Sequence, residues 1–309
     1  MKRKIALAPS PPAPPPLGGR NGITPSSHTH NNNPNEAERL EAIEMPLLLE
    51  AIYQRYGYDF RGYAPASLKR RLRHAAANEG LASFSALQDR LLHDPEAMAR
   101  FLDCVSVDVT AMFRDPGFHR LFRERIAPEL RGLPIVRLWH AGCSTGEEVY
   151  STAIVLREEG LLDRARIYAT DLNPAALICA REAIFPIRNM QAHTANYQKA
   201  GGAATFSDYY TARGDSIILR DCLRHNIVWA EHNLVTDSSF NEFNVIFCRN
   251  VMIYFSRALQ ERVQRILHES LAMGGCLGLG RSESLQFTPL EDRYEAVSRE
   301  EKWYRKVRP

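Results

Sequence analysis

The clearest chemical signal in the sequence is a pair of glycines followed by a pair of carboxylates in the segment HAGCSTGEEVYS. Gly142 and Gly146 allow a tight turn close to a ligand, and Glu147 and Glu148 fall in the first turn of the helix predicted to follow. The spacing differs from the GxGxxG pattern that cradles a pyrophosphate. Carboxylates at a helix start repel phosphate and favour a cationic ligand, although simple pairing with the helix dipole would also explain them.

A further carboxylate follows the next apolar run, in the segment ATDLN. Asp171 stands about two dozen residues past the glycine turn, where a carboxylate commonly binds the two hydroxyls of a ribose. Dinucleotide-binding and methyl-donor enzymes share this position, and a helix cap before Pro174 is the simpler explanation. Together, the carboxylates favour a cationic cofactor that contains adenosine, for which S-adenosylmethionine is the candidate.

These residues would be positioned by a sheet of buried parallel strands. Short apolar runs that end in polar or small residues alternate with helical stretches; the runs are PIVRLWHAG, ARIYATDL, NIVWAEHNL and FNVIFCRN. Such alternation predicts a parallel sheet with helices on both faces, in which ligands bind beyond the carboxyl ends of the strands. The segments GGCLGLG and KWYRKV are predicted to add two more strands.

Composition along the chain predicts three parts. Residues 1–38 are rich in Pro, Gly, Ser, Asn and His and are expected to form a disordered tail. Residues 39–121 carry apolar side chains at helical spacing and are predicted to form a small helical domain. Residues 122–309 are predicted to form the catalytic domain, with an inserted subdomain at about 186–226 where the alternation of strands and helices breaks.

Overall composition excludes several classes of protein. With 309 residues and 45% hydrophobic content, the chain can bury one large and one smaller core. The net charge of +3 is too small to indicate nucleic-acid binding by itself. No apolar stretch suits a signal peptide or a membrane span, and the six cysteines lack the spacing of a metal site. We therefore expect a soluble, cytoplasmic monomer with reduced thiols and no metal.

Several segments, in a fixed order, resemble the chemotaxis receptor methyltransferases known as CheR; they are VTAMFRDPGF, WHAGCSTGEEVYS, ATDLNPAALICAR, EHNL, FCRNVMIYF and GRSES. The resemblance covers roughly residues 45–307. It implies a class I S-adenosylmethionine-dependent methyltransferase fold, that is, a Rossmann-like α/β sheet with a small N-terminal all-helical domain and an inserted β-subdomain. It further implies methylation of glutamate carboxylates on chemoreceptors, giving methyl esters for sensory adaptation and S-adenosylhomocysteine as product.

The same resemblance implies roles for individual residues. Arg114 and Tyr254 would be catalytic, orienting the acceptor near the transferring methyl group. Cofactor contacts would come from Asp108, Thr110, Arg114, Glu147, Asp171, Asn233, Leu234, Arg249 and Asn250. The chain departs from the family at two positions, since Asp108 stands where many members have Asn, and Arg281 replaces the usual His of the last motif.

The segment SLKRRLRHAA carries a basic stripe. Arg70, Arg73 and His74 stand at positions i, i+3 and i+4 of a predicted helix, which a solvated helix face would explain by itself. In the resembled family a corresponding helix contacts acidic receptor helices. The resemblance therefore implies that Arg70 and Arg73 dock the cytoplasmic signalling domain of a chemoreceptor, with electrostatic steering of the encounter.

Methyl transfer to a carboxylate needs positioning more than proton removal. A glutamate with a pKa of about 4.3 is already ionised at neutral pH, so orientation and partial desolvation are the main tasks. Two other functions stay open, because a fold does not fix a substrate. One is a methyltransferase acting on a small molecule or on RNA, and the other is a sensor or scaffold that binds the cofactor without turnover. An NAD-dependent oxidoreductase is disfavoured, since the chain lacks a phosphate loop.

Overall fold

The computed structural model describes residues 34–106 and 110–309. Residues 1–33 of the predicted tail lie outside the described residues, and so does Asp108. The first helix begins at Pro34, so the last residues assigned to the tail are helical. In the described part of the chain, no helix combines the length and the apolar character needed to cross a membrane.

Four helices form the N-terminal domain; they are α1 (Pro34–Tyr56), α2 (Pro65–Asn78), α3 (Phe84–His93) and α4 (Pro95–Val105). Local sequence sets two of their starts. The Ser83 hydroxyl accepts a hydrogen bond from the N–H of Ala86, and the Asp94 carboxylate accepts one from the N–H of Glu96. The helical N-terminal domain predicted from the sequence is confirmed.

The core of this domain is apolar, and its most buried members are Leu48, Ile52, Phe60, Leu68, Leu72, Leu87, Leu91 and Ala97. One buried carboxylate fixes the packing of α3 on α1. Glu44 accepts hydrogen bonds from the Ser85 hydroxyl at 2.6 Å and from the N–H of Phe84 at 3.2 Å. Because a buried carboxylate is stable only with partners, these bonds hold the first turn of α3 against α1.

The second domain is built on a seven-stranded sheet. In chain order the strands of the protein are β1 (Val136–Ala141), β2 (Ala165–Asp171), β3 (Ile184–Pro186), β4 (Tyr210–Arg213), β5 (Ser216–Leu219), β6 (Ile227–Glu231), β7 (Phe243–Cys248), β8 (Leu271–Leu279), β9 (Tyr294–Ser298) and β10 (Trp303–Lys306). The order in the large sheet is β6-β2-β1-β7-β8-β10-β9, and β10 runs antiparallel to both of its neighbours.

The strand order reverses between β1 and β7. On one side of β1 the sheet continues with β2 and then β6. On the other side β1 pairs with β7, and β7 pairs with β8. This reversal leaves a crevice beyond the carboxyl ends of β1 and β7. The expected Rossmann-like α/β fold is confirmed, whereas the edge strand β9 was not predicted from the sequence.

Five helices complete the second domain; they are α5 (Pro116–Leu121), α6 (Glu147–Glu158), α7 (Pro174–Glu182), α8 (Met190–Lys199) and α9 (Arg257–Glu269). A π-helical turn, Phe122–Ile126, continues α5. Phe118 and Phe122 stack on Trp303 of β10, and both belong to the core of the sheet, not to that of the four N-terminal helices. The chain thus enters the second core before residue 121, the boundary predicted from the sequence.

The inserted subdomain is a three-stranded antiparallel sheet in the order β3-β5-β4, accompanied by α8. A buried carboxylate at the end of α6 attaches it to the large domain. Glu158 accepts hydrogen bonds from the hydroxyls of Tyr197 and Tyr209 and pairs with Arg123 of the π-helical turn. The N–H of Ala203 also donates to this carboxylate, at 3.2 Å, so three donors from the insert tie it to α6.

Candidate functional site

A cavity lies between the carboxyl edge of the large sheet and the N-terminal helices. The sheet domain contributes Gly142, Cys143, Ser144, Glu148, Asp171, Leu172, His232, Asn233, Leu234, Val235, Arg249, Asn250, Val251, Tyr254 and Phe255. The helical domain and the segment that follows it contribute Phe60, Tyr63, Arg71, Leu102, Val105, Ser106, Thr110 and Arg114. The cavity therefore coincides with the reversal of strand order.

Most of the residues predicted to bind the cofactor or the acceptor line this cavity; they are Thr110, Arg114, Asp171, Asn233, Leu234, Arg249, Asn250 and Tyr254. Glu147 does not line it. Its carboxylate instead accepts a hydrogen bond from the Thr145 hydroxyl at 2.7 Å, and the next residue, Glu148, faces the cavity. Neither Arg70 nor Arg73 lines it, and Asp108 lies outside the described residues.

The glycine turn and Asp171 form one unit. The Asp171 carboxylate accepts hydrogen bonds from the N–H of Ser144 at 2.8 Å and from that of Asn173 at 3.0 Å. Gly142 has a φ of +78°, and a β-carbon there would lie 2.4 Å from a methyl group of Val251. Only glycine fits this position, so the turn after β1 stays close to the loop that follows β7.

Arg249 lies at the centre of a network of charges. Its guanidinium donates to Glu148 and to Asp115, both at 2.6 Å, and lies 4.0 Å from the ring centroid of Phe118. Burial by itself would raise the pKa of Glu148, but Arg249 and His140 outweigh it and lower that pKa to about 2. Arg249 is thus neutralised by two carboxylates and serves to hold the cavity wall together.

Arg71 is a site residue that the sequence reasoning missed. It belongs to the basic segment of α2, yet its side chain turns inward, donating to the carbonyl oxygen of Val105 at 2.6 Å. The guanidinium lies 4.0 Å from the ring centroid of Tyr254, and its Nη2 finds no acceptor among the described residues. Desolvation lowers the pKa of Arg71. The sequence did contain a signal for this buried position: Arg71 lies three residues after Leu68 and four before Ala75, on the apolar face of α2.

The loop that carries Tyr254 is joined to the helical domain by backbone hydrogen bonds. The N–H of Ala64 donates to the carbonyl of Tyr254 at 2.8 Å, and the N–H of Ser256 donates to that of Gly62 at 2.9 Å. Between them Tyr63 packs edge-on against Phe255, and both side chains line the cavity. The two domains thus share one short antiparallel seam at the cavity wall.

The segment that leads to Tyr254 is also held by Glu283 of the GRSES motif. Its buried carboxylate accepts from the backbone N–H groups of Gly280, Asn250, Val251 and Met252 at 2.7–3.0 Å. Asn250 has a φ of +60°, a strained conformation that its neighbours must hold. Burial raises the pKa of Glu283 despite these bonds. Glu283 therefore sets the position of the segment that leads to Tyr254.

The predicted docking residues differ in their surroundings. Arg73 pairs with Glu41 of α1 through two hydrogen bonds of 2.7 and 2.6 Å, and Lys69 pairs with the same carboxylate at 2.7 Å. Arg70 is exposed and has no ion-pair partner in the described part of the chain. Of the two predicted docking cations, Arg70 is the one whose charge is not neutralised locally.

The lining of the cavity suits a particular kind of ligand. Asp171 supplies a carboxylate, and Leu172, Leu234 and Val235 supply apolar surface. The Nη2 of Arg71, which has no acceptor within residues 34–106 and 110–309, supplies a donor for an anion. A molecule with hydroxyls, charges of both signs and a flat ring would satisfy all three. S-adenosylmethionine has these groups, so the residues present fit this cofactor.

Comparisons with known proteins agree with this chemistry. A family model described as CheR methyltransferase, SAM binding domain, matches residues 108–302, and one described as CheR methyltransferase, all-alpha domain, matches residues 43–106. A Pseudomonas putida protein, Cher3, whose methyltransferase designation is provisional, is 46% identical over 270 residues, covering 87% of this chain and 99% of its own length. A chemotaxis protein methyltransferase of Listeria innocua is 30% identical, covering 74% of this chain and 85% of its own length.

Proposed function

The chain belongs to the CheR methyltransferase family, with S-adenosylmethionine as its cofactor, and we propose that it methylates glutamate side chains in the cytoplasmic domain of a chemoreceptor. The products would be glutamate methyl esters and S-adenosylhomocysteine. Because a receptor's signalling domain lies in the cytoplasm, the protein would act there.

The observation that supports this proposal most directly is the pairing of Arg71 with Tyr254 in the cavity wall. An acceptor carboxylate needs a cation and a hydroxyl that orient it, and here a guanidinium lies 4.0 Å from the ring of a tyrosine. The Nη2 of Arg71 has no acceptor among the described residues, so it retains a donor for an incoming carboxylate. Arg114, the other predicted catalytic residue, lines the same cavity.

When bound, the cofactor supplies a methyl group activated by a positively charged sulfur. The residues of the chain orient the acceptor, which is already ionised at neutral pH because a glutamate pKa is about 4.3. A general base is therefore not required. Too strong an ion pair with the acceptor carboxylate would stabilise the ground state more than the transition state. Arg71 avoids this, because the Val105 carbonyl and the Tyr254 ring already share its guanidinium.

The helical domain excludes water from the reacting groups. Phe60, Tyr63 and Leu102 line the cavity on the side of the helical domain. Removing water strengthens the electrostatic contacts inside the cavity and partly desolvates the acceptor carboxylate. The acceptor must therefore enter as a side chain that projects from its own protein, which suits a glutamate on the surface of a helical receptor.

One experiment tests the reaction class. Purified protein is incubated with tritiated S-adenosylmethionine and the purified cytoplasmic fragment of a chemoreceptor from the same organism, with Tyr254→Phe as the impaired control. We expect label on the fragment that mild alkali releases as methanol, and much less label with the variant. Alkali-stable label, or label on RNA instead of protein, would redirect the assignment to another methyltransferase class.

Calorimetry separates an enzyme from a sensor that does not turn over. Titration of S-adenosylmethionine and S-adenosylhomocysteine should show binding to the wild type and much weaker binding to Asp171→Ala. Binding of both ligands without transfer to any receptor fragment would favour a cofactor sensor.

A further inference from the structure

Arg114, which lines the cavity, lies between two residues in the left-handed region of backbone conformation. The φ of Phe113 is +53° and that of Asp115 is +56°. Side chains rarely adopt such angles, and for a bulky aromatic residue the conformation is a clear outlier. Strained backbone of this kind persists only when its surroundings hold it, and it is concentrated at functional sites. The groups that hold Phe113 and Asp115 therefore determine the direction in which the Arg114 side chain leaves the backbone.

The sheet domain holds Asp115. Its carboxylate pairs with Arg249, directly after β7, at 2.6 Å and with Arg281, just past β8, at 3.2 Å. Arg249 also donates a hydrogen bond to the carbonyl oxygen of Arg114 at 3.3 Å. The segment that follows Arg114 is thus fixed by the strands that form the cavity wall.

The inserted subdomain holds Phe113. The ring of Phe113 is fully buried and packs edge-on against Tyr197 of α8 and against Phe206, with 5.2 and 6.1 Å between ring centroids. The side-chain amide of Asn196, also on α8, donates to the carbonyl oxygen of Met112 at 3.2 Å. The insert therefore contacts both the ring of Phe113 and the peptide group that joins this residue to Met112.

These contacts fix the strained φ of Phe113, which describes rotation between that peptide group and the part of the residue that carries the ring. The hydroxyl of Ser151 in α6 accepts a hydrogen bond from the N–H of the same peptide group at 2.8 Å. The peptide group is therefore held at its oxygen by Asn196 and at its nitrogen by Ser151. The ring is held by the two aromatic residues of the insert and by His119 of α5, whose ring centroid lies 5.3 Å away. With both sides fixed, φ is fixed, and the insert supplies contacts on each side.

We propose that the inserted subdomain positions Arg114 for methyl transfer by fixing the conformation of Phe113. Its positioning residues are Asn196, Tyr197 and Phe206. This inference rests on the proposed function, in which Arg114 orients the acceptor carboxylate. It gives the insert a role in turnover that needs no contact between the insert and the substrate. Because a displacement of about 1 Å at a reacting group can lower a rate by about 100-fold, a loosened Phe113 should lower kcat without weakening substrate binding.

The test uses Asn196→Ala and Phe206→Leu in the full-length protein, with Gln198→Ala, an exposed change on the same helix, as the matched control. Tyr197 is kept, because its hydroxyl also donates to Glu158 and ties the insert to α6. Methyl transfer to the cytoplasmic fragment of a chemoreceptor from the same organism is measured as a function of fragment concentration. Both variants should lower kcat by about tenfold, with KM for the fragment and the affinity for S-adenosylhomocysteine within about twofold of wild type. Gln198→Ala should match the wild type in all three quantities.

A double-mutant cycle separates positioning from general destabilisation. Asn196 is only partly buried, so its truncation leaves the core intact even if Phe206→Leu lowers the stability. In an Arg114→Met background, followed by single turnover with radiolabelled cofactor, Asn196→Ala should slow transfer further by less than about twofold, because the side chain that it positions is gone.

Two results would overturn the positioning role and leave the proposed function intact. One is an equal fold loss from Asn196→Ala in both backgrounds, and the other is an unchanged kcat in both single variants of the insert. If the wild type binds S-adenosylhomocysteine but methylates no receptor fragment, the proposed function fails, and the positioning role fails with it.

Discussion

The guanidinium of Arg71, in the helical domain, lies 4.0 Å from the ring centroid of Tyr254, in the sheet domain. This contact joins the two domains at the point where the acceptor is expected to react. The face of Tyr254 is therefore occupied by a cation whose Nη2 has no acceptor in the part of the chain that the structure describes.

Replacing Arg71 with Met should impair turnover far more than cofactor binding. Methionine fills similar space but cannot stack as a cation or donate to an acceptor, so the acceptor loses its orientation. We expect kcat to fall by about 100-fold, with the affinity for S-adenosylhomocysteine within a few fold of wild type. Arg70→Met, on the exposed face of the same helix, is the matched control for kcat. Equal kcat values for the two variants would remove Arg71 from the reaction.

Glu283→Gln should displace the loop that leads to Tyr254. The new amide group would direct N–H donors at backbone N–H groups that now donate to the carboxylate. We expect the affinity for S-adenosylhomocysteine, measured by calorimetry, to fall by about tenfold, which corresponds to one lost hydrogen bond to a charged group. Glu269→Gln, an exposed change on α9, should have no effect. Wild-type affinity in Glu283→Gln would show that the loop holds its position without this carboxylate.

Glu148 should contribute a stability that depends on pH. Its pKa in the folded protein is lowered from 4.5 to about 2, so the contribution is complete above pH 4.5 and disappears as the pH falls through about 2. The size of the shift corresponds to roughly 3 kcal/mol at neutral pH. Urea unfolding of the wild type and Glu148→Gln should give free energies of unfolding that differ at pH 7 and converge at low pH.

The control for this prediction is Glu124→Gln, which removes an exposed carboxylate paired with Arg120. Exposed pairs contribute little, so this variant should follow the wild type over the whole pH range. A difference between wild type and Glu148→Gln that stays constant down to pH 2 would contradict the assigned role of Arg249.

Arg70→Glu should weaken docking of the acidic substrate. Because this cation has no ion-pair partner among the described residues, reversing its charge acts directly on the encounter with the partner. We expect KM for the receptor fragment to rise several fold at low salt, and the effect to shrink as salt screens the charges. Arg73→Glu should also weaken the packing of α2 on α1, since it places two carboxylates side by side. A KM for Arg70→Glu that equals that of the wild type at every salt concentration would exclude the stripe as the docking face.

The strands and the glycine turn could be predicted because their signals are local. Buried parallel strands are continuous apolar runs, and Gly142 and Asp171 come directly after two of them. Their proximity follows from the topology alone. The predicted edge of the sheet therefore agrees with the structure. The predictions for Asn233, Leu234, Arg249, Asn250 and Tyr254 came from the family resemblance; these residues line the cavity, and their contacts with the cofactor stay predictions.

Other features depended on the phase of a helix or on distant contacts. Whether Glu147 or Glu148 faces the cavity depends on how the chain enters α6 at Gly146, where φ is +92°. The basic segment SLKRRLRHAA predicted exposed side chains throughout. Arg71 is the arginine of that segment that lies on the apolar face of α2, and its burial was therefore missed. The role of Glu283 requires a loop that is more than 30 positions away in the sequence. None of these contacts was predicted, and the helical phase of Arg71 was the one signal that could have indicated its buried position.

The backbone seam between Gly62–Ala64 and Tyr254–Ser256 links separation of the two domains to the state of the candidate active site. Any separation of the domains that opens this wall must break the two backbone hydrogen bonds of the seam, and it would also move Arg71 of the helical domain away from Tyr254. Opening of the cavity and loss of the Arg71–Tyr254 pair would then be a single movement, so a bound cofactor could leave only when this pair is apart.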